Sequence, residues 1–309
     1  MWLDFVQIFS QVLLPVLVLV VIGALLQRCR PMDSDTLVTL NLYFFVPAYL
    51  FARILESELS WGDIAQIGLL VMVPMGLAGI PAYICFRLSG QSRETLAAML
   101  AGGLFMNAGN FGVPVVELAF GPEGGKVQAL VVMFANLCVF LFGYTILAMG
   151  SGGGWRSLFG YFRLPYFYVV VAALALRDSR VAVPAGCIDA ARYIANGLVP
   201  VALATLGAQL ANRANWPRWS NIVPVLILKL VLMPAVTALV AWLFGCWPWP
   251  GAILIVSAAA PSAVNVLLLT MQVDGDTETA STCVFWTTLC SALTVATLLA
   301  ILRACGGMP

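Results

Sequence analysis

Asn107, Gly109, Asn110, Gly112 and Pro114 fall within eight residues of the stretch MNAGNFGVPVVELAFG, Met106 to Gly121. Proline removes a backbone donor and clashes with the preceding turn, and glycine frees the backbone. Together they are expected to open a helix. Asparagine amides beside such an opening can satisfy freed carbonyls, hold a ligand, or both. A second stretch, SAAAPSAVNVLLL, repeats the composition: Ser257 and Ser262 flank Pro261, and Asn265 follows one turn later. If both are broken helices that cross, two helix N-termini face one point. Each presents unpaired N–H groups and about half a positive charge. Such an arrangement binds an anion with backbone alone and needs no arginine. The simpler alternative is a pair of kinked helices sealed by asparagine–backbone bonds.

Three further polar residues lie in apolar surroundings. Asn136 sits within VVMFANLCVFLFGY, facing either a cavity or a neighbouring helix. Lys229 and Glu117 are ionisable, and ionisable groups at membrane depth are costly and mostly functional. A coupling or gating role competes with snorkelling to the nearer interface for both. They are expected in opposite halves of the membrane, unpaired with each other, and Arg53 is expected at an interface. The threonines of the last segment (Thr282, Thr287, Thr288, Thr294, Thr297) suit close helix packing.

Composition decides what kind of element holds these residues. Of 309 residues, 62% are hydrophobic and 9% charged, against about 25% charged in a soluble domain. There is too little polar side chain for a water-facing surface, so lipid is the solvent. A net charge of +1 provides no field for nucleic acid. The absence of histidine excludes Ser-His-Asp triads and His-ligated zinc or haem. The eight cysteines form no C-x-x-C pair and lie mostly in or beside apolar runs, where cysteine acts as a small hydrophobe. The first apolar run follows Asp4 with no basic residue before it, which suits a spanning helix better than a signal peptide.

A spanning helix takes about 20 apolar residues. Ten candidates are read: Phe5–Leu26, Leu37–Leu55, Ile64–Phe86, Thr95–Phe120, Val127–Met149, Leu164–Leu176, Ile188–Leu210, Asn221–Phe244, Trp249–Met271 and Thr277–Leu302. Connections are brief, and the Gly-rich SGGGWRS after the fifth is a flexible linker. The expectation is an all-α polytopic membrane protein in a single domain, 1–309. Eight basic residues on the odd loops against six elsewhere place odd loops in the cytoplasm and both termini outside.

The halves resemble each other. Helix two carries FVPAYLFARI about Pro47 and helix seven LVPVALATLG about Pro200, 153 residues on; Pro114 and Pro261 are 147 apart. Repeats of five helices, 5–150 and 158–303, must lie inverted in the membrane. Inverted repeats with interrupted helices at matching positions mark secondary transporters. An intramembrane enzyme would need a metal or nucleophile cluster at depth, and a sensor would bring an output domain; neither is visible in the sequence.

NAGNFGVPVVELAFG, LNLYFFVPAYLF and APSAVN…VDGDTETAST resemble the auxin efflux carrier family, which includes bacterial permeases for malate and malonate. The resemblance covers nearly the whole chain. It implies ten helices in two inverted five-helix repeats and an elevator-type motion of a transport part against a scaffold. It implies substrate at the crossing of broken helices four and nine. The family's crossover positions fall on Asn107 or Asn110, Pro114 and Pro261, and its helix-five polar position near Asn136. The plant carriers have a basic residue where this chain has Glu117, and a long loop that it lacks. A permease for a small organic anion such as malonate or malate, in a bacterial inner membrane, is therefore expected ahead of a carrier of auxin-like aromatic acids. No cofactor is expected; either H+ or Na+ would serve as coupling ion, and a homodimer is compatible with the family.

Overall fold

The computed structural model describes residues 6, 9–151, 165–179, 181–211 and 217–307. The first residues of the first expected span, most of the Gly-rich linker, Arg156, Arg163, Arg213 and Trp216 lie outside the described residues.

The described residues form helices: α1 (Leu14–Cys29), α2 (Ser34–Leu40), α3 (Val46–Leu55), α4 (Trp61–Leu88), α5 (Arg93–Leu104), α6 (Val113–Cys138), α7 (Tyr144–Gly150), α8 (Pro165–Ser179), α9 (Ala185–Asn196), α10 (Leu198–Ala211), α11 (Trp219–Ile227), α12 (Met233–Leu243), α13 (Gly251–Ala258), α14 (Val264–Gln272) and α15 (Thr277–Ala304). The sole strand-like feature among them is an isolated antiparallel bridge, Met106 to Ser262. Seven helical stretches are long and apolar enough to cross a membrane: Phe9–Cys29, Thr36–Leu55, Trp61–Leu88, Ala108–Gly150, Ala185–Ala211, Trp219–Leu243 and Thr277–Ala304.

Wide π turns join several helices, and their placement has a simple cause. Those at Phe9–Leu13, Asn41–Phe45, Ala108–Gly112 and Leu228–Leu232 each run into a helix whose second residue is proline: Pro15, Pro47, Pro114 and Pro234. A proline ring collides with the carbonyl one turn back and offers no N–H to it. Widening that turn moves the carbonyl aside, so the chain passes these prolines while remaining helical. The expectation that Pro114 opens the fourth helix is thus corrected: α5 stops at Leu104, Phe105 is extended, and Pro114 lies inside the helix beyond the break.

The stretch Ala108–Gly150 is not one rod. Gly121 has φ +68° and ψ −166°, a conformation open to glycine. Beyond it the chain turns back, since the Gln128 side chain reaches the carbonyl of Ala108, residues that a straight helix would hold about 30 Å apart.

The helices pack in two groups. One is α1, α2, α3, α8, α9 and α10; the other is α4 to α7 with α11 to α15. In the first, Gly23 and Gly207 seat α1 directly on α10: a Cβ on either would enter the opposing backbone, at Ala204 and Val20. Small residues permit such close helix approach within a membrane.

Candidate functional site

The two breaks meet. Between α5 and α6, and between α13 and α14, short extended segments lie antiparallel at Met106 and Ser262. The Asn107 N–H donates to the Pro261 carbonyl at 2.8 Å, and the Ala263 N–H donates to the Phe105 carbonyl at 3.0 Å. Unpaired backbone groups at membrane depth each cost several kcal/mol, so each break supplies what the other lacks. Asn107 also caps the π turn Ala108–Gly112, its Oδ1 accepting the Asn110 N–H at 3.2 Å.

Buried side chains brace the crossing. Gln128, fully buried, donates through Nε2 to the Ala108 carbonyl at 2.8 Å and accepts through Oε1 from the Ser257 hydroxyl at 2.6 Å. It therefore ties the start of one half-helix to the end of the opposite one. Ser262, also fully buried, donates its hydroxyl to the Gly102 carbonyl, and its N–H donates to Thr287 Oγ1 at 3.0 Å. Thr287 in turn donates to the Cys283 carbonyl at 2.6 Å.

Beside the crossing is a small cleft with about 40 Å³ of room for water centres, lined by Asn107, Gly109, Asn110, Asn136 and Asn265 among others. A single water needs about 10–15 Å³ by this measure, so the cleft holds a few waters. Asn265 Nδ2 donates to Asn136 Oδ1 at 3.0 Å, and Asn136 Nδ2 donates to the Val132 carbonyl at 2.9 Å. Asn107 Nδ2 is buried with no partner. Its orientation is set, because the oxygen of the same amide already accepts the Asn110 N–H. The π turn after Asn107 and α14 both begin at this cleft, bringing first-turn N–H groups that have no intrahelical acceptor. No ionisable side chain among the described residues lines it. The cleft is a set of neutral donors, electropositive through helix dipoles.

Of the residues singled out in the sequence, Asn107, Gly109, Asn110, Asn136 and Asn265 are brought together here. Four others lie behind the lining. Gly112 packs on Gln128, whose Nε2 would be 2.6 Å from an added Cβ. Pro114 is buried in the first turn of α6, Pro261 contributes its carbonyl, and Ser262 is the brace described above. Glu117 stands apart from the cleft, ion-paired with Arg53. Arg53, expected at an interface, is part-buried in that pair. Lys229 lies in the π turn between α11 and α12, fully buried, its Nζ without a partner. Its neighbour Leu228 packs against Gly103, in the last turn of α5.

Sequence reasoning missed Gln128 and the bracing role of Thr287. A lone glutamine in an apolar run was the available signal for the first; for the second there was none beyond one hydroxyl among many.

The comparisons with known proteins bear on this site. Residues 156–299 match the family model described as Membrane transport protein. A protein of Methanothermobacter thermautotrophicus named "Uncharacterized transporter" is 24% identical over 292 residues, covering 93% of this chain and 96% of that protein. One of Rhizobium meliloti named "Putative malonate transporter" is 27% identical over 320 residues, covering 96% of each.

Proposed function

We propose that this chain is a membrane transporter and not an enzyme, and that it carries a small organic anion, with malonate or malate as the leading candidates. The observation that carries this reading is the cleft at the crossing. It gathers the unpaired Asn107 Nδ2, the Asn110 side chain and the N-termini of two half-helices, and it holds no carboxylate to repel an anion. A carboxylate entering it would accept hydrogen bonds from donors that are already oriented. The name of the Rhizobium relative points to a substrate of this class.

Ten spans in two inverted repeats account best for the elements. Span four is then α5 with residues 108–120, span five 122–150, span six contains α8, and span nine is α13 with α14. Several features recur between the halves. Met106 and Ser262, which face each other, are 156 residues apart; Asn110 and Asn265 are 155 apart; Pro81 and Pro234 are 153 apart. The packing is reciprocal as well, with α1 on α10 and α3 on α8.

Movement of one helix group past the other would expose the cleft to alternate sides, an elevator motion. Contacts between the groups are where such motion is controlled. Arg53 on α3 pairs with Glu117 on α6, and the Tyr49 hydroxyl donates to the Gly125 carbonyl at 3.0 Å. Glu117 acts as the moving side of a latch that must open in each cycle. Lys229, an unpartnered amine beside the last turn of α5, is the candidate coupling or gating group. Either a proton or a sodium ion is compatible with this arrangement.

Counterflow of labelled malonate into liposomes containing the purified protein tests the reading. Accumulation that depends on internal malonate supports it. No counterflow of malonate, malate or related dicarboxylates, from protein shown to be folded, overturns it.

A further inference from the structure

A second space lined by polar side chains lies away from the crossing. A cavity of about 460 Å³ lies at the other end of α5, between the last turns of α4 and α7. It shares no lining residue with the cleft at the crossing, and its walls all belong to one helix group.

Its chemistry is divided. At one side stand Arg87 and Arg93, and neither forms an ion pair with a carboxylate among the described residues. Arg87 is held in place, donating through Nη1 to the Tyr83 hydroxyl at 2.6 Å, with its guanidinium 5.9 Å from the centre of that ring. Arg93 begins α5, which Ser92 caps by accepting the Thr95 N–H. The opposite wall is apolar: Leu96, Leu100 and Ile146. Met149 on the lining is 70% exposed, and Leu88, next to Arg87 in the chain, is 82% exposed, so large apolar side chains face outward beside the cavity. In a membrane protein such exposed apolar side chains face acyl chains.

A ligand for this space must be anionic at one end, to match two guanidinium groups that lack carboxylates, and apolar at the other. It must also enter from the lipid side. The geometry points to a binding site for one anionic phospholipid. Its phosphate sits between Arg87 and Arg93, and the upper part of an acyl chain lies along Leu96, Leu100 and Ile146. Arginine forks match phosphate oxygens in pairs, and basic pockets between spanning helices hold anionic headgroups. The volume lies within the ordinary range of small-molecule pockets, roughly 300–1,000 Å³. The site is independent of the transport reading.

The experiment uses the full-length protein in neutral detergent, stripped of lipid and then offered phosphatidylglycerol or phosphatidylcholine of identical chains. Retained lipid is counted by native mass spectrometry, and thermal stability is followed in parallel. Wild-type protein retains one phosphatidylglycerol preferentially and melts higher with it. The Arg87→Gln, Arg93→Gln double variant, altered at exposed positions, loses that preference by roughly thirtyfold. Leu96→Trp, which fills the apolar side and leaves both arginines, also loses the retained lipid. Equal retention of the two lipids, or unchanged retention by the double variant, overturns the inference. So does displacement by glycerol phosphate at concentrations equal to the lipid, which would mark a soluble anion as the ligand.

Discussion

The Asn107 N–H meets the Pro261 carbonyl at 2.8 Å, joining two chain breaks that stand 154 residues apart in sequence. The convergence of the two half-helices on the cleft depends on that junction. If the breaks were not held together, the two half-helix N-termini would not point at one place.

Gln128 should be essential to the junction although it lines no cleft. Gln128→Leu leaves the Ala108 carbonyl and the Ser257 hydroxyl without partners, at a cost of about 1–3 kcal/mol for each buried group left unsatisfied. The variant should melt lower and transport little. Gln128→Glu, which keeps the acceptor for Ser257 and loses the donor for Ala108, should also be impaired. A melting point equal to wild type for the leucine variant would rule out the bracing role of Gln128.

Lys229 gives a prediction with opposite signs for stability and activity. A buried amine without a partner is costly to hold, and methionine fills similar space without polar atoms. Lys229→Met should therefore melt higher while uptake falls at least several-fold. A gain in stability with undiminished uptake at every pH would end its coupling or gating role.

The Arg53–Glu117 pair is a contact between the helix groups; removing Arg53 leaves Glu117 without a basic partner among the described residues, whereas removing Glu117 leaves Arg53 only Glu56, at 3.6 Å. Glu117→Gln and Arg53→Gln should each alter the transport rate, whereas Arg53→Glu with Glu117→Arg should recover part of it. Breaking a buried pair costs about 3–5 kcal/mol when one partner remains charged; this pair retains some exposure, so a smaller loss of stability is expected. Rates unaffected in both single variants would show that the contact does not restrain motion.

Asp276 caps α15, accepting the Thr279 N–H at 2.9 Å, and also accepts the Thr95 hydroxyl at 2.6 Å. Burial raises its pKa, but these hydrogen bonds and the charge of Arg218 outweigh burial and leave it below the ordinary carboxylate value. Its contribution is therefore present above the ordinary carboxylate pKa and is lost as pH falls through the depressed one. Asp276→Ala should cost about 1 kcal/mol, and melting curves of variant and wild type should converge in acid. A gap that persists below pH ~2 would contradict this assignment.

The break between α13 and α14 is legible in the sequence because Pro261 lies inside it, and the cleft asparagines because amides beside glycines in an apolar run have few other uses. Between α5 and α6 the sequence points to Pro114, whereas the chain breaks upstream of it, around Phe105 and Asn107. A proline at the second helical position is accommodated by a wide turn, and sequence does not distinguish that turn from a break. Arg53 and Glu117 lie 64 residues apart, so nothing local announces their pairing. Lys229 illustrates the same limit. A long side chain can reach an interface or remain inside, and only the packing of α5 against Leu228 decides between them.

Equilibrium binding of labelled malonate to the purified protein is the sharpest check on the anion site at the crossing. Wild type should bind saturably, with malonamide, the uncharged analogue, failing to compete. Asn107→Ala, whose lost Nδ2 has no partner among the described residues, should weaken binding roughly tenfold or more, as expected for a charge-assisted hydrogen bond, and should melt lower only by the lost cap on the Asn110 N–H, about 1 kcal/mol. Undiminished binding by a folded Asn107→Ala, Asn110→Ala double variant would show that the anion binds elsewhere.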